Sequence, residues 1–168
     1  VTGVQTCALP IFAVSGDLTI DYRALGFTDS ADHLTFARAI EAQNITLTQL
    51  GDGSLTIGQK VAGASMGVGD FENLMAADTL TVTAPDTAGG SVLTVAADLV
   101  SDANLALDFN AIAIDANLTV TDDQWLSLSA KVNATDATTE QITQGSGSVL
   151  TAAELVLRGA GTIALDGA

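Results

Sequence analysis

Six aspartates, Asp52, Asp86, Asp98, Asp102, Asp122 and Asp123, stand in or beside turn-forming stretches of this chain. Carboxylates gathered in turns are what a calcium ion takes, since it binds six to eight oxygen ligands from carboxylates and carbonyls. Asp98, Asp102, Asp122 and Asp123 are the calcium candidates, on the expectation that such turns stack on one another. Neither the EF-hand spacing nor the Gly-Gly-x-Gly-x-Asp nonapeptide occurs, and acidic turns commonly do no more than keep an aliphatic surface soluble. The reading therefore assigns no metal site and no cofactor, with calcium as the one ion left open.

The other chemical constellations are thinner. Asp122 and Asp123 precede Trp125, and paired carboxylates beside an aromatic can cleave glycosides. Such clefts also present Lys, Arg or His, whereas the whole chain has 5 Lys and Arg and 1 His. The plainer reading is a solvated Asp-Asp turn with Trp125 covering the next strand. His33 follows Asp29-Ser30-Ala31-Asp32, but a His-Asp pair acts only on a nucleophile held beside it. With one His and one Cys, a structural zinc site is excluded. Gly63 to Gly69 lacks the Gly-Lys-Ser/Thr of a phosphate cradle and reads as a flexible loop. The sequons at Asn44, Asn117 and Asn133 are coincidences of a Thr-rich chain. No catalytic residue is assigned and the chain is expected not to be an enzyme. A carbohydrate-active β-helix enzyme remains the alternative built on Asp122 and Asp123.

Composition bounds the partners. Asp and Glu total 20, for a net charge of -15. That disfavours nucleic acid, which demands a basic patch, and anionic lipid as well. A mean hydropathy of +0.40 argues against disorder, which requires few apolar residues. No run of eighteen apolar residues implies a membrane span.

The elements that would position any site come from one recurring unit: a polar or small residue, an aliphatic, a small residue, then an aliphatic or Phe. It occurs at 17–20, 33–36, 44–47, 54–57, 79–82, 92–95, 104–107, 111–114, 117–120, 125–128, 154–157 and 162–165. Each unit alternates with period two, so its aliphatics share one face and its Thr, Ala or Ser the other. Turn clusters such as Gly51-Asp52-Gly53 and Gly145-Ser146-Gly147 separate the units. Successive steps often sum to 20–25 residues, the length of one solenoid coil with two or three short strands. The expected fold is all-β, a parallel β-solenoid (right-handed β-helix) over residues 12–168. An antiparallel sandwich or meander is the alternative. Aromatic residues make up only 4% of the chain and no Asn-Gly hairpin turn occurs, which favours the solenoid. Helical possibilities are confined to Phe36–Gln43 and Asp70–Ala77, either of which would also serve as a loop.

Two resemblances complete the reading. Val1-Thr2-Gly3-Val4-Gln5-Thr6-Cys7-Ala8-Leu9-Pro10-Ile11 resembles the translation of a common short-read sequencing adapter. Residues 1–11 are accordingly expected to be an artefact of metagenomic assembly and are set aside, Cys7 with them. At the other end, Glu140-Gln141-Ile142-Thr143-Gln144-Gly145-Ser146-Gly147-Ser148-Val149-Leu150-Thr151-Ala152 leads into Ala153-Glu154-Leu155-Val156-Leu157-Arg158-Gly159-Ala160-Gly161-Thr162-Ile163-Ala164-Leu165-Asp166-Gly167-Ala168. This run resembles the repeats of filamentous-haemagglutinin-like large exoproteins of Gram-negative bacteria. The resemblance implies a β-helical shaft, secreted and displayed on the outer cell surface, with adhesive roles. Its partners would be a host or neighbouring-cell surface, or other copies of itself. The adapter-like start and mid-pattern stop lead to the expectation of a fragment truncated at both ends. A calcium-stabilised surface-layer or repeat protein is the further alternative.

Overall fold

Eleven of the twelve units form strands, and they do so for the reason their alternation gives: a two-residue period can bury only one face of a pleated backbone. A computed structural model describes residues 12–23, 33–50, 54–61, 63–85, 90–121, 123–131, 141–159 and 161–166. Residues 1–11 lie outside the described residues, and so do Asp52, Asp86 and Asp122.

The chain runs through β1 (Phe12–Ala13), β2 (Asp17–Arg23), β3 (Ile40–Leu50), β4 (Leu55–Gly58), β5 (Ser65–Gly67) and the one-turn helix α1 (Val68–Glu72). It continues through β6 (Leu74–Thr83), β7 (Val92–Val95), β8 (Leu99–Ser101), β9 (Asn104–Phe109), β10 (Ala111–Ile114) and β11 (Leu118–Val120). It closes with β12 (Trp125–Ala130), β13 (Gln141–Gln144), β14 (Leu150–Thr151), β15 (Glu154–Arg158) and β16 (Thr162–Leu165).

Three sheets result. Sheet 1 stacks β1, β3, β6, β9, β12 and β15, with β2 also on β3. Sheet 2 runs β5, β4, β7, β10, β13, β16, and sheet 3 runs β8, β11, β14. From β7 onward the chain visits sheets 2, 3 and 1 in turn, so each circuit lays one strand on each stack. Every strand pair among the described residues is parallel. The fold is therefore an all-β parallel solenoid, and the antiparallel sandwich or meander is excluded. A hairpin fold needs chain reversal between paired strands; here every pair is parallel, and from β7 onward each turn carries the chain on to the next sheet.

The circuits differ in length but not in register. Leu80 faces Leu105, Leu105 faces Leu126 and Leu126 faces Leu155, steps of 25, 21 and 29 residues. Turns absorb the difference while strands keep like against like. One interior column reads Leu18, Ile45, Leu80, Leu105, Leu126, Leu155; the next reads Ile20, Leu47, Val82, Leu107, Leu128, Leu157. Sheet 2 answers with Leu55, Leu93, Ile112, Ile142 and Ile163. Most of these side chains are fully buried in one continuous core, each contributing roughly 1.5–3 kcal/mol.

The two helical expectations resolve differently. Residues 36–39 are irregular and Ile40–Gln43 belongs to β3, because Ile40 and Ala42 pair with Leu74 and Ala76. The helix in the second stretch is shorter and earlier than Asp70–Ala77, covering Val68–Glu72, and strand β6 begins at Leu74. Gly63–Gly69 is not a free loop: it holds β5, which doubles back to pair with β4, and the start of α1.

Candidate functional site

Among the described residues, the turn aspartates Asp98 and Asp102 hold coil to coil, as do Asp17 and Asp78 in strands. Asp98 precedes β8, and its carboxylate accepts from the backbone N–H of Asn117 at 2.9 Å and from Asn117 Nδ2 at 3.1 Å, one circuit later. Asn117 Oδ1 in turn accepts from the Val149 N–H at 2.9 Å in the next circuit. The same relay runs from Asp78 through Asn104 to the Trp125 N–H, at 3.2 and 3.1 Å. Asp17 takes Asn44 Nδ2 at 2.8 Å, and Asp102 takes the Thr121 hydroxyl at 3.0 Å. An aspartate forms the lower rung and an asparagine or threonine donates from above. Where the upper residue is asparagine, its free oxygen can cap the following coil.

This geometry redefines the calcium candidates. Asp98 and Asp102 flank a three-residue strand, and four steps of about 3.3 Å set them roughly 13 Å apart; calcium needs its oxygens at about 2.3–2.6 Å. Asp123 sits in the turn before β12, and its intended companion Asp122 lies outside the described residues. Among the described residues no group of three or more His, Cys, Asp or Glu is placed to hold an ion. Trp125 is half-buried on the outer face of β12, and lines a shallow depression with Ala106, Ser127, Glu154, Val156 and Arg158. His33 is half-buried, and its Nδ1 finds no hydrogen-bond partner among the described residues.

Three polar clasps were not visible in sequence. In the first, Asp70 of α1 accepts from the Phe36 N–H at 2.8 Å, the Gly67 N–H at 3.2 Å and Lys60 Nζ at 2.9 Å. Asn73 Nδ2 donates to Phe36 O at 2.6 Å beside it. Burial alone would raise the Asp70 pKa. The Lys60 ammonium and the two backbone donors outweigh that, and the net displacement is downward. In the second, buried Asn110 Oδ1 accepts from the Ser91 N–H and hydroxyl at 2.8 and 2.9 Å, while its Nδ2 donates to Lys131 O. In the third, Lys131 Nζ joins three circuits, reaching Asp108 at 3.0 Å, Thr83 Oγ1 at 2.8 Å and Ala84 O at 2.7 Å.

Two of the chain's few cations thus serve as internal ties. Comparison with protein-family models, with curated proteins and with solved structures gives no match. No helix among the described residues is long and apolar enough to cross a membrane.

Proposed function

We propose that the chain is a structural and adhesive shaft segment of a secreted, surface-displayed bacterial repeat exoprotein, acting without catalysis. The observation that carries this reading is the use of the polar residues. The carboxylates of Asp17 and Asp78 in strands and of Asp98 and Asp102 in turns bond from one coil to the next. Stacked coils of this kind add stability one neighbour at a time and set no limit on length, which suits a rod that holds a distal tip away from a cell. The interior is aliphatic, so such a rod needs no bound group and no disulfide. Right-handed coiling, display at the outer cell surface and contact with host cells, neighbouring cells or other copies belong to this proposal through the repeat resemblance at 140–168.

Beads coated with the chain test the adhesive half when pressed on epithelial or bacterial cell layers. Detachment forces above those of beads coated with an inert protein are expected, and equality would overturn it. Single-molecule pulling tests the shaft half: extension in increments of one or a few circuits is expected. A single all-or-none rupture would count against a rod built of separable coils.

A further inference from the structure

Sheet 3 stops at β8, though strands continue along the same side of the molecule. Leu99 stands five residues before Asn104, and Leu74 stands five before Thr79, which faces Asn104 in sheet 1. The start of β6 thus takes the place next to β8, just as Ile40–Ala42 lies beside Leu74–Ala76. Yet β6 and β8 do not pair. Two residues of β6, Ala77 and Asp78, stand opposite the single residue Gln43 of β3. The first half of β6 stays with β3 and leaves β8 alone. Between them is a cleft of about 250 Å³, floored by Phe71, Leu74 and Leu80 and walled by Met75 and Val100, with Glu72 and Asp102 among its lining residues.

Both walls are strand edges. In a parallel ladder, successive residues turn their N–H and C=O to opposite sides. Leu99 donates to Asn117 O and Ser101 accepts from the Thr121 N–H, so both face β11 and the backbone groups of Val100 face the cleft. The Ile40 N–H bonds Asn73 O, which turns Met75 toward β3 and Ala76 toward the cleft. Met75 and Val100, at the rim of the cleft, are 50% and 44% exposed.

We infer that this cleft is a strand-insertion site, which takes one extended basic segment of a partner protein as the rung between β6 and β8. An unpaired edge is a template for another strand, and inserted strands gain affinity from main-chain bonds and specificity from alternate side chains. The cleft runs between two strand edges whose Met75 and Val100 are exposed, which suits an extended backbone whose side chains stay largely outside it. Glu72 and Asp102 are both exposed, and with a net charge of -15 they select a segment carrying Lys or Arg. This goes beyond the shaft role, which requires no partner at this place.

The full chain would be titrated by NMR with a capped Lys-Val-Thr-Val-Lys peptide and, separately, with Glu-Val-Thr-Val-Glu. The lysine peptide is expected to shift the amide resonances of Val100 and Ala76 and protect them from exchange. The glutamate peptide should bind about tenfold more weakly or worse, because like charges then oppose each other. Val100→Pro deletes the cleft-facing N–H without removing a bond to β11, and Glu72→Lys reverses an exposed charge. Each should weaken the lysine peptide about tenfold, on the scale of one main-chain or charge-assisted bond, with the circular dichroism unchanged. Should Val100→Pro unfold the chain, Glu72→Lys decides alone. Absence of lysine-peptide binding at millimolar concentration, equal binding of the two peptides, or shifts confined to other strands would each overturn the inference.

Discussion

Asn117 shows how much one residue can hold when coils repeat. It donates from backbone and side chain to Asp98 and accepts from Val149, so Asn117→Ala severs bonds on both sides of its coil. These bonds are exposed, and the loss should stay near 1 kcal/mol. Asn110→Ala should cost more, about 1–3 kcal/mol, because it strands the buried Ser91 N–H. Urea denaturation of both variants checks the order. Asp70 carries the pH dependence. Its folded pKa lies below the ordinary 3.8, so its contribution is complete above that value and is lost as pH falls through the lower folded one. The difference between the wild type and Asp70→Asn isolates the clasp: it should be largest at neutral pH and shrink below about pH 4. The protection of the Phe36 amide, which Asp70 holds, relative to its intrinsic exchange rate should fall over the same range. Sequence alone placed Asp98 and Asp102 in turns but did not show their bonds to the next coil. The signal was present: Asp17, Asn44, Asn104 and Asn117 all occupy the first position of a strand unit, and like positions stack.

At the scale of elements, the strands were legible because alternation and register carry the same information. A unit such as Asn104-Leu105-Ala106-Leu107 fixes both the face it buries and the neighbour it meets. Sequence missed the two- and three-residue strands β1, β5, β8 and β14, too brief to show a period, and also β13, where Gln144 stands in place of the second aliphatic. The doubling back of β5 depends on Asp70 and Lys60, which are joined only by the fold. The step of one coil was blurred because turns vary by several residues at no cost to the ladder. Position along the stack then sets what a core residue is worth. Leu105 is fully buried between Leu80 and Leu126, whereas Leu155 is 42% exposed on the last described strand of sheet 1. Leu105→Ala should cost about 2–5 kcal/mol and Leu155→Ala less than about 1 kcal/mol, as thermal melts would show. Gly58 marks a place where the backbone dictates the residue. At φ +103° its added Cβ would stand 2.7 Å from the Ala97 amide nitrogen, so Gly58→Ala should destabilise clearly more than Gly63→Ala, whose φ is +96° but whose surroundings are open.

The whole molecule balances an aliphatic interior against a net charge of -15. Parallel stacking brings equivalent turn positions of successive coils next to each other, so an aspartate in one turn meets the same position in the next. The ladders soften this by alternating Asp with Asn or Thr, as Asp98 with Asn117 and Asp102 with Thr121. The remaining repulsion is long-ranged at low salt, where the Debye length is about 30 Å at 0.01 M, and is largely screened at 0.15 M, where it is about 8 Å. Raising sodium chloride across that range should therefore raise the melting temperature by a few degrees. Calcium and magnesium chloride at matched ionic strength then separate screening from coordination. Among the described residues, no group of three or more carboxylates is placed to hold an ion, and Asp98 and Asp102 already accept from amide and hydroxyl donors. The two divalent ions are expected to give equal melting temperatures. A calcium-specific rise of ten degrees or so, saturating at millimolar concentration and reversed by a chelator, would instead make the rod a calcium-stabilised one and move its acidic turns from ladder to binding site.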